Sequence, residues 1–195
     1  MRQLVIMPGR LSWGKRTSGV LVLCAASAIA VPAQTFTTLH SFDGTDGQNP
    51  YSYSGLVQAT NGDFYGTTQA GGLYCVPYGF ANGCGTVFKM TPSGALTSYS
   101  LDGADGAIAY AGLVQATNGD LYGTVQLAGV NGGGTVFKMA LGGTPTAIYS
   151  FGYGGTTGYY PDAALVQATN GTFTEQPSLA AVSTVPRTAV GRSSR

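Results

Sequence analysis

The chain has 195 residues, of which 44% are apolar and only 9% charged, with a formal net charge of +1. That apolar fraction suits a packed core rather than a charge-rich disordered chain, and its 31 glycines do not recur at every third position, which excludes collagen. Between Gln34 and Phe173 two lysines, Lys89 and Lys138, stand against seven aspartates, a net of −5, so the body of the chain lacks the basic footprint of a nucleic-acid binder.

Most of the basic residues lie at the two ends. Arg2, Arg10, Lys15 and Arg16 precede the apolar run from Val20 to Val31, and small residues surround Ala30 and Ala33. A basic segment, a short apolar core and a small-residue site predict a secretory signal peptide over residues 1–33. The core is short for a transmembrane helix, so the long basic segment leaves an uncleaved anchor as the alternative, and the membrane enters only through that signal or anchor. Cys24 has the large Leu23 before it, where lipoprotein processing wants a small residue, and reads as an ordinary apolar position of the removed peptide.

From residue 34 the chain is repetitive. Leu-Val-Gln-Ala-Thr-Asn-Gly occurs at Leu56 to Gly62, Leu113 to Gly119 and Leu165 to Gly171, and Gly-Thr-Val-Phe-Lys-Met at Gly85 to Met90 and Gly134 to Met139. A unit of about 50 residues repeated in tandem fixes the architecture before any single residue does. Each unit reads as four short strands, in the first unit Leu56 to Thr60, Asp63 to Thr68, Thr86 to Met90 and Ala95 to Leu101. Asn61-Gly62 predicts a hairpin in which both turn residues are left-handed, and Thr91-Pro92-Ser93-Gly94 predicts a second turn. Thr35 to Phe42 matches the fourth strand of a unit. The expected fold is all-β, with tandem four-stranded antiparallel units of the β-propeller kind, and solenoids with larger β units as the competing architecture. The repeat domain spans 34–173, with units near 43–101 and 102–151 and a partial one at 152–173. About two and a half units are too few to close a ring, so sheet edges stay open to self-association.

The stretches Ser41 to Gly47, Gly55 to Thr68 and Gly85 to Gly94 resemble the GloVer tandem repeat of exported bacterial proteins, over about residues 36–173. The resemblance implies a secreted or surface-attached β-repeat protein and carries over no catalytic residues. The third copy departs from it at Thr172, Thr174 and Glu175, and residues 174–195 lose the repeat, lose glycine and tyrosine, and gain Arg187, Arg192 and Arg195. They read as a degenerate or disordered tail, and a chain that is a non-functional fragment of a longer repeat protein is one outcome.

Cys75 and Cys84 lie in a segment that the first unit has and the second replaces with the short link Gly129 to Gly134. Insertions that leave flanking phrases intact sit in loops. A disulfide closing this loop is the expectation in an oxidising compartment, with a metal or redox pair as the alternative. Tyr74 and Tyr78 in the same loop are candidates for a ligand-facing role, since exposed aromatics beside amide side chains stack on sugar rings. Asp43, Asp46 and Asn49 have oxygen at spacings a calcium loop uses. Asp102 and Asp105 repeat half of the pattern and the third unit lacks it, so Asx-turn chemistry competes with calcium. No other cofactor is indicated. Tyr65 and Tyr122, like Phe88 and Phe137, recur at equivalent positions and are expected in the core, while Lys89 and Lys138 are expected on the solvated face of the third strand. The single histidine, His40, supports no triad, and neither zinc, phosphate-loop nor dinucleotide motifs occur. Catalysis is therefore not assigned. The expected role is an extracellular or cell-surface interaction module whose partner is a protein or a glycan, and a secreted carbohydrate-binding or carbohydrate-active protein is the runner-up.

Overall fold

The computed structural model describes residues 36–51, 54–72, 75, 79–153 and 158–175. The signal segment 1–33, Tyr74, Tyr78 and residues 176–195 lie outside them. The chain divides at Phe36/Thr37, and every element below belongs to the unit Thr37–Arg195. Ten strands and no helix form among the described residues, so no described helix is long and apolar enough to cross a membrane.

The first sheet holds β1 (Val57–Gln58), β2 (Phe64–Thr68), β3 (Thr86–Met90) and β4 (Leu96–Ser100), antiparallel in the order β1-β2-β3-β4. The second repeats it with β5 (Val114–Gln115), β6 (Leu121–Val125), β7 (Gly132–Met139) and β8 (Thr146–Gly152). The third has β9 (Leu165–Gln167) paired with β10 (Phe173–Glu175). Four-stranded meanders in tandem are the blade pattern expected from the repeat.

The first hairpin differs from the expectation. Gly62 N–H donates to Ala59 O at 2.8 Å and Ala59 N–H to Asp63 O at 2.9 Å. Only Gly62 is left-handed, at φ 85°. The turn is a four-residue one closed by a single left-handed glycine, not a two-residue turn with Asn61 at positive φ. Asn61 serves through its side chain, whose Oδ1 accepts Asp63 N–H at 3.1 Å. Asn118 and Asn170 do the same for Asp120 and Thr172. Because the turn consumes Ala59 to Gly62, the first strand shrinks to two residues.

The strand phrases are shaped by close packing within each sheet and between sheets. Gly66 pairs with Phe88 and Gly123 with Phe137. A Cβ on Gly66 would stand 2.5 Å from Phe88 Cζ, and one on Gly123 2.6 Å from Phe137 Cζ, so each glycine makes room for a phenylalanine ring. One core joins Ala59, Tyr65 and Val87 of the first sheet to Leu113, Leu121 and Phe137 of the second. A second joins Tyr122 and Val136 to Leu165 and Phe173. Sheets therefore shield one another face to face, as units of a repeat array do. Leu56 is 54% exposed, whereas its equivalents Leu113 and Leu165, each with a unit before it, are 8% and 3% exposed.

Polar latches set the spacing between units. Thr60 N–H donates to Gln115 Oε1 at 2.9 Å, and Gln115 Nε2 returns to Thr60 Oγ1 at 3.1 Å and to Gly119 O at 2.9 Å. Thr117 N–H donates to Gln167 Oε1 in the same way. Buried hydroxyls join in: Thr67 donates to Ala111 O and Thr124 to Ala163 O. The glutamine, alanine and threonine of the recurring phrase are thus accounted for by contacts between consecutive units.

Candidate interaction face

Three equivalent positions, Asn49, Ile108 and Tyr160, adopt positive φ of 54°, 65° and 61°. For a β-branched isoleucine this conformation is strained and is held only by its surroundings. The surroundings are the connections between the second and third strands. Asn49 O accepts Gln69 N–H at 3.1 Å, and Ile108 O accepts Gln126 N–H at 3.1 Å. Ile108 N–H donates to Cys84 O at 3.0 Å, and Tyr160 N–H to Gly133 O at 2.8 Å. The same backbone device thus recurs with an amide, an aliphatic and a phenol.

In the first unit the connection carries the insertion. Cys75 and Cys84 are disulfide-bonded, with Cα atoms 5.5 Å apart, and both are buried. Phe80 N–H donates to Cys75 O and Gly83 N–H to Phe80 O, while Gly71 N–H donates to Asn82 O at 2.6 Å. The loop is tied down on both sides, and between it and the neighbouring unit lies a cleft of about 400 Å³ lined by Asn49, Gln69, Phe80, Asn82 and Ile108 among others. Gln69 Nε2 donates to Tyr110 Oη at 3.0 Å. In the third unit the exposed rings of Tyr153, Tyr159 and Tyr160 contact one another edge to face or tilted, and the Tyr153 and Tyr160 hydroxyls share a 3.0 Å hydrogen bond. That bond and burial hold the Tyr160 phenol above the ordinary tyrosine range.

The calcium candidates occupy a tight turn. Asp43 Oδ1 accepts Thr45 N–H at 2.8 Å and Thr45 Oγ1–H at 2.6 Å, the bonds of an Asx turn, and Asp43 is held below the ordinary carboxylate range by them. Asp46 meets His40 Nε2 at 2.6 Å and accepts Asp43 N–H at 3.1 Å. Asn49 stands apart from both carboxylates in role, bordering the cleft. Among the described residues no three His, Cys, Asp or Glu side chains gather as a metal cluster.

In the second unit the equivalent turn is more enclosed. Asp105 accepts Ala147 N–H at 2.8 Å, and burial raises its carboxyl above the ordinary range more than that bond lowers it. A raised carboxyl pKa in the folded state means a stability contribution present at low pH and lost as pH rises through the folded value. Asp105→Asn keeps the acceptor and removes the charge. It is expected to raise the melting temperature at pH 7 and to have no such benefit well below the aspartate range, which thermal melts across pH will check.

Lys138 is exposed, as expected, and Lys89 is half-buried, and each faces a turn aspartate. Lys89 Nζ lies 3.9 Å from Asp63 Oδ2 and Lys138 Nζ 3.6 Å from Asp120 Oδ2. Asn61 Nδ2 bridges Asp63 Oδ2 and Tyr65 Oη at 3.1 and 3.2 Å, and Asn118 repeats this with Asp120 and Tyr122. Each chain of Lys, Asp, Asn and Tyr fastens a turn to its sheet, and exposed ion pairs of this length add little stability by themselves.

Of the sequence-stated site residues, the structure brings Cys75 and Cys84 together and places Asn49 at the cleft, while Tyr74 and Tyr78 fall outside the described residues. Gln69, Phe80, Asn82 and Ile108 escaped the sequence reading. The available signal was the alignment of Asn49, Ile108 and Tyr160 two positions after Gly47, Gly106 and Gly158, with three unlike side chains at one place in the repeat.

Tandem four-stranded antiparallel units joined face to face define a β-repeat protein of the blade type. The model of the Gloeobacter/Verrucomicrobia repeat matches residues 13–175, and the chain belongs to that family. No curated protein sequence matches it. Two solved structures of virginiamycin B lyase from Staphylococcus aureus are similar at 15% identity. The selenomethionine-substituted form matches over 62% of this chain and 32% of its own, with a TM-score of 0.38. A catalytically inactive variant with quinupristin matches over 69% and 36%, with a TM-score of 0.41. The chain thus spans about a third of the length of these structures.

Proposed function

We propose that the chain is an exported interaction module. It works outside the cytoplasm, with the stacked sheets as framework and the loops bordering the strand connections as contact surface. The observation that carries this reading is the recurrence of one strained backbone position with three unlike side chains, Asn49, Ile108 and Tyr160. A framework that repeats while its presented groups differ is the arrangement of a display scaffold. The Cys75–Cys84 bridge supports an oxidising compartment, and residues 1–33, acting as a signal peptide, would direct the chain there before being removed. Tyr74 and Tyr78 belong to the same presented loop in this reading.

Screening the purified chain on arrays of extracellular proteins and glycans tests it. A specific hit is expected, lost on Tyr78→Ala or Tyr160→Gly while the far-UV spectrum stays that of the parent. The reading fails if no array gives a hit, or if cell fractionation finds the full-length chain in the cytoplasm with its leader intact.

A further inference from the structure

The cleft beneath the inserted loop has a chemical character that narrows its occupant. Among its described lining residues none carries a charge. Two amide side chains, those of Asn49 and Asn82, are exposed and make no hydrogen bond within the described structure, and a third, Gln69, is held by Tyr110. Each amide offers both a donor and an acceptor. Phe80 and Ile108 supply half-buried apolar surface between them. The backbone groups nearby are already committed: Gln69 N–H to Asn49 O, Ala70 N–H to Gln48 O, and Asn82 O to Gly71 N–H. Among the described residues no strand contributes to the lining of the cleft, so an extended peptide has no ladder to join there. An ionic ligand finds no counter-charge there, and the acidic body repels an anion.

The geometry points to this cleft, built from Asn49, Gln69, Phe80, Asn82 and Ile108, as a binding site for a neutral, polyhydroxylated ligand, that is, an uncharged oligosaccharide. Paired amides suit adjacent hydroxyls, which also donate and accept, and the phenylalanine suits the C–H face of a sugar ring. The disulfide matters because it holds both ends of the loop that carries Phe80 and Asn82. The second unit has the short link Gly129 to Gly134 in place of this loop and so lacks counterparts of Phe80 and Asn82, and the turn aspartates that recur play no part in the cleft. This inference rests on the display reading above and names the ligand class of one part of that face.

The test is calorimetric titration of the whole chain with a panel of neutral oligosaccharides, with uronic-acid and sulfated sugars and a peptide library alongside. A neutral oligosaccharide is expected to bind at one site per chain, with affinity unchanged by a calcium chelator and lowered by reduction of the disulfide. Asn49→Gly and Asn82→Ala are each expected to weaken it about tenfold, the worth of one hydrogen bond. Glycine relieves the positive φ at residue 49, so that variant keeps its fold. Val130→Ala, at an exposed position outside the cleft, is expected to leave affinity unchanged. As a measurement independent of variants, the side-chain amide resonances of Gln69 and Asn82 shift on titration. Absence of saturable binding by every neutral sugar overturns the inference, as does binding indifferent to both asparagine variants. Peptide or acidic-sugar binding alone overturns it too but leaves the display reading standing, whereas silence here together with silence on the protein and glycan arrays defeats both.

Discussion

Replacing Phe137 by alanine is expected to cost about 3–5 kcal/mol, the range for a large aromatic deleted from a close-packed core. For a chain of this size that lowers the melting midpoint on the order of 10 °C. Phe137 is fully buried in the core that joins the first two sheets, beside Tyr65, Leu113 and Leu121. Its ring also covers Gly123, so the cavity left behind is bounded by rigid backbone and collapses poorly. The same geometry predicts a change of sign. Gly123→Ala in the parent drives a methyl group to 2.6 Å from the ring and destabilises. In the Phe137→Ala background that methyl group loses its clash with the ring, meets only the movable Leu113 Cδ2 at 2.8 Å, and recovers part of the loss. A double-mutant cycle by chemical denaturation will read the coupling, and additive effects would contradict the packing described.

Gly134→Ala is the second large effect. Gly134 opens the recurring Gly-Thr-Val-Phe-Lys-Met phrase at φ +96°, and an added Cβ would stand 2.5 Å from Val125 O, 2.6 Å from Gln126 O and 2.6 Å from Pro161 Cδ. Two of those neighbours are backbone carbonyls of an adjacent strand connection and cannot rotate away. Strain at such a conformation alone costs about 1–3 kcal/mol, and the displacement of β6 adds to it. Gly119→Ala provides the control. It has φ +88° with nothing within 4 Å of the added carbon, so it bears only the conformational term, about 1–2 kcal/mol. Equal losses at the two glycines, measured by denaturant midpoints, would show that the close approach is not what keeps Gly134 a glycine.

The two glycines mark where reading the chain succeeds and where it stops. Repetition of Gly-Thr-Val-Phe-Lys-Met placed a strand after each glycine, because alternation of Val and Lys against Thr, Phe and Met is a local pattern. Why glycine stands first depends on Val125 O and Pro161, which only the fold brings against it. The asparagine of the hairpin is a similar case. Asn-Gly pointed correctly to a hairpin, but the left-handed residue is the glycine alone, and the asparagine works by capping Asp63 N–H. The cysteine pair was legible because nine positions within one inserted loop leave little choice of partner. The cleft was not, since its lining comes from residues 49, 69, 80, 82 and 108, brought together by the stacking of units and by nothing in their spacing. Lysines at 89 and 138 were legible as outward-facing strand residues, whereas their approach to the turn aspartates was not.

By itself the sequence determined the repeat period, the four-strand unit, the turns that separate strands and the cysteines available for a bridge, because each is written in neighbouring residues and in copies of the same phrase. Only the tertiary structure decided which faces of consecutive sheets meet, how Gln115 and Gln167 latch one unit to the next, and that Asn49, Ile108 and Tyr160 share a strained backbone state beside the strand connections. Those features arise from contacts over some 30 to 60 residues of separation, and a periodic sequence gives the same local instructions whichever of its faces is to be covered.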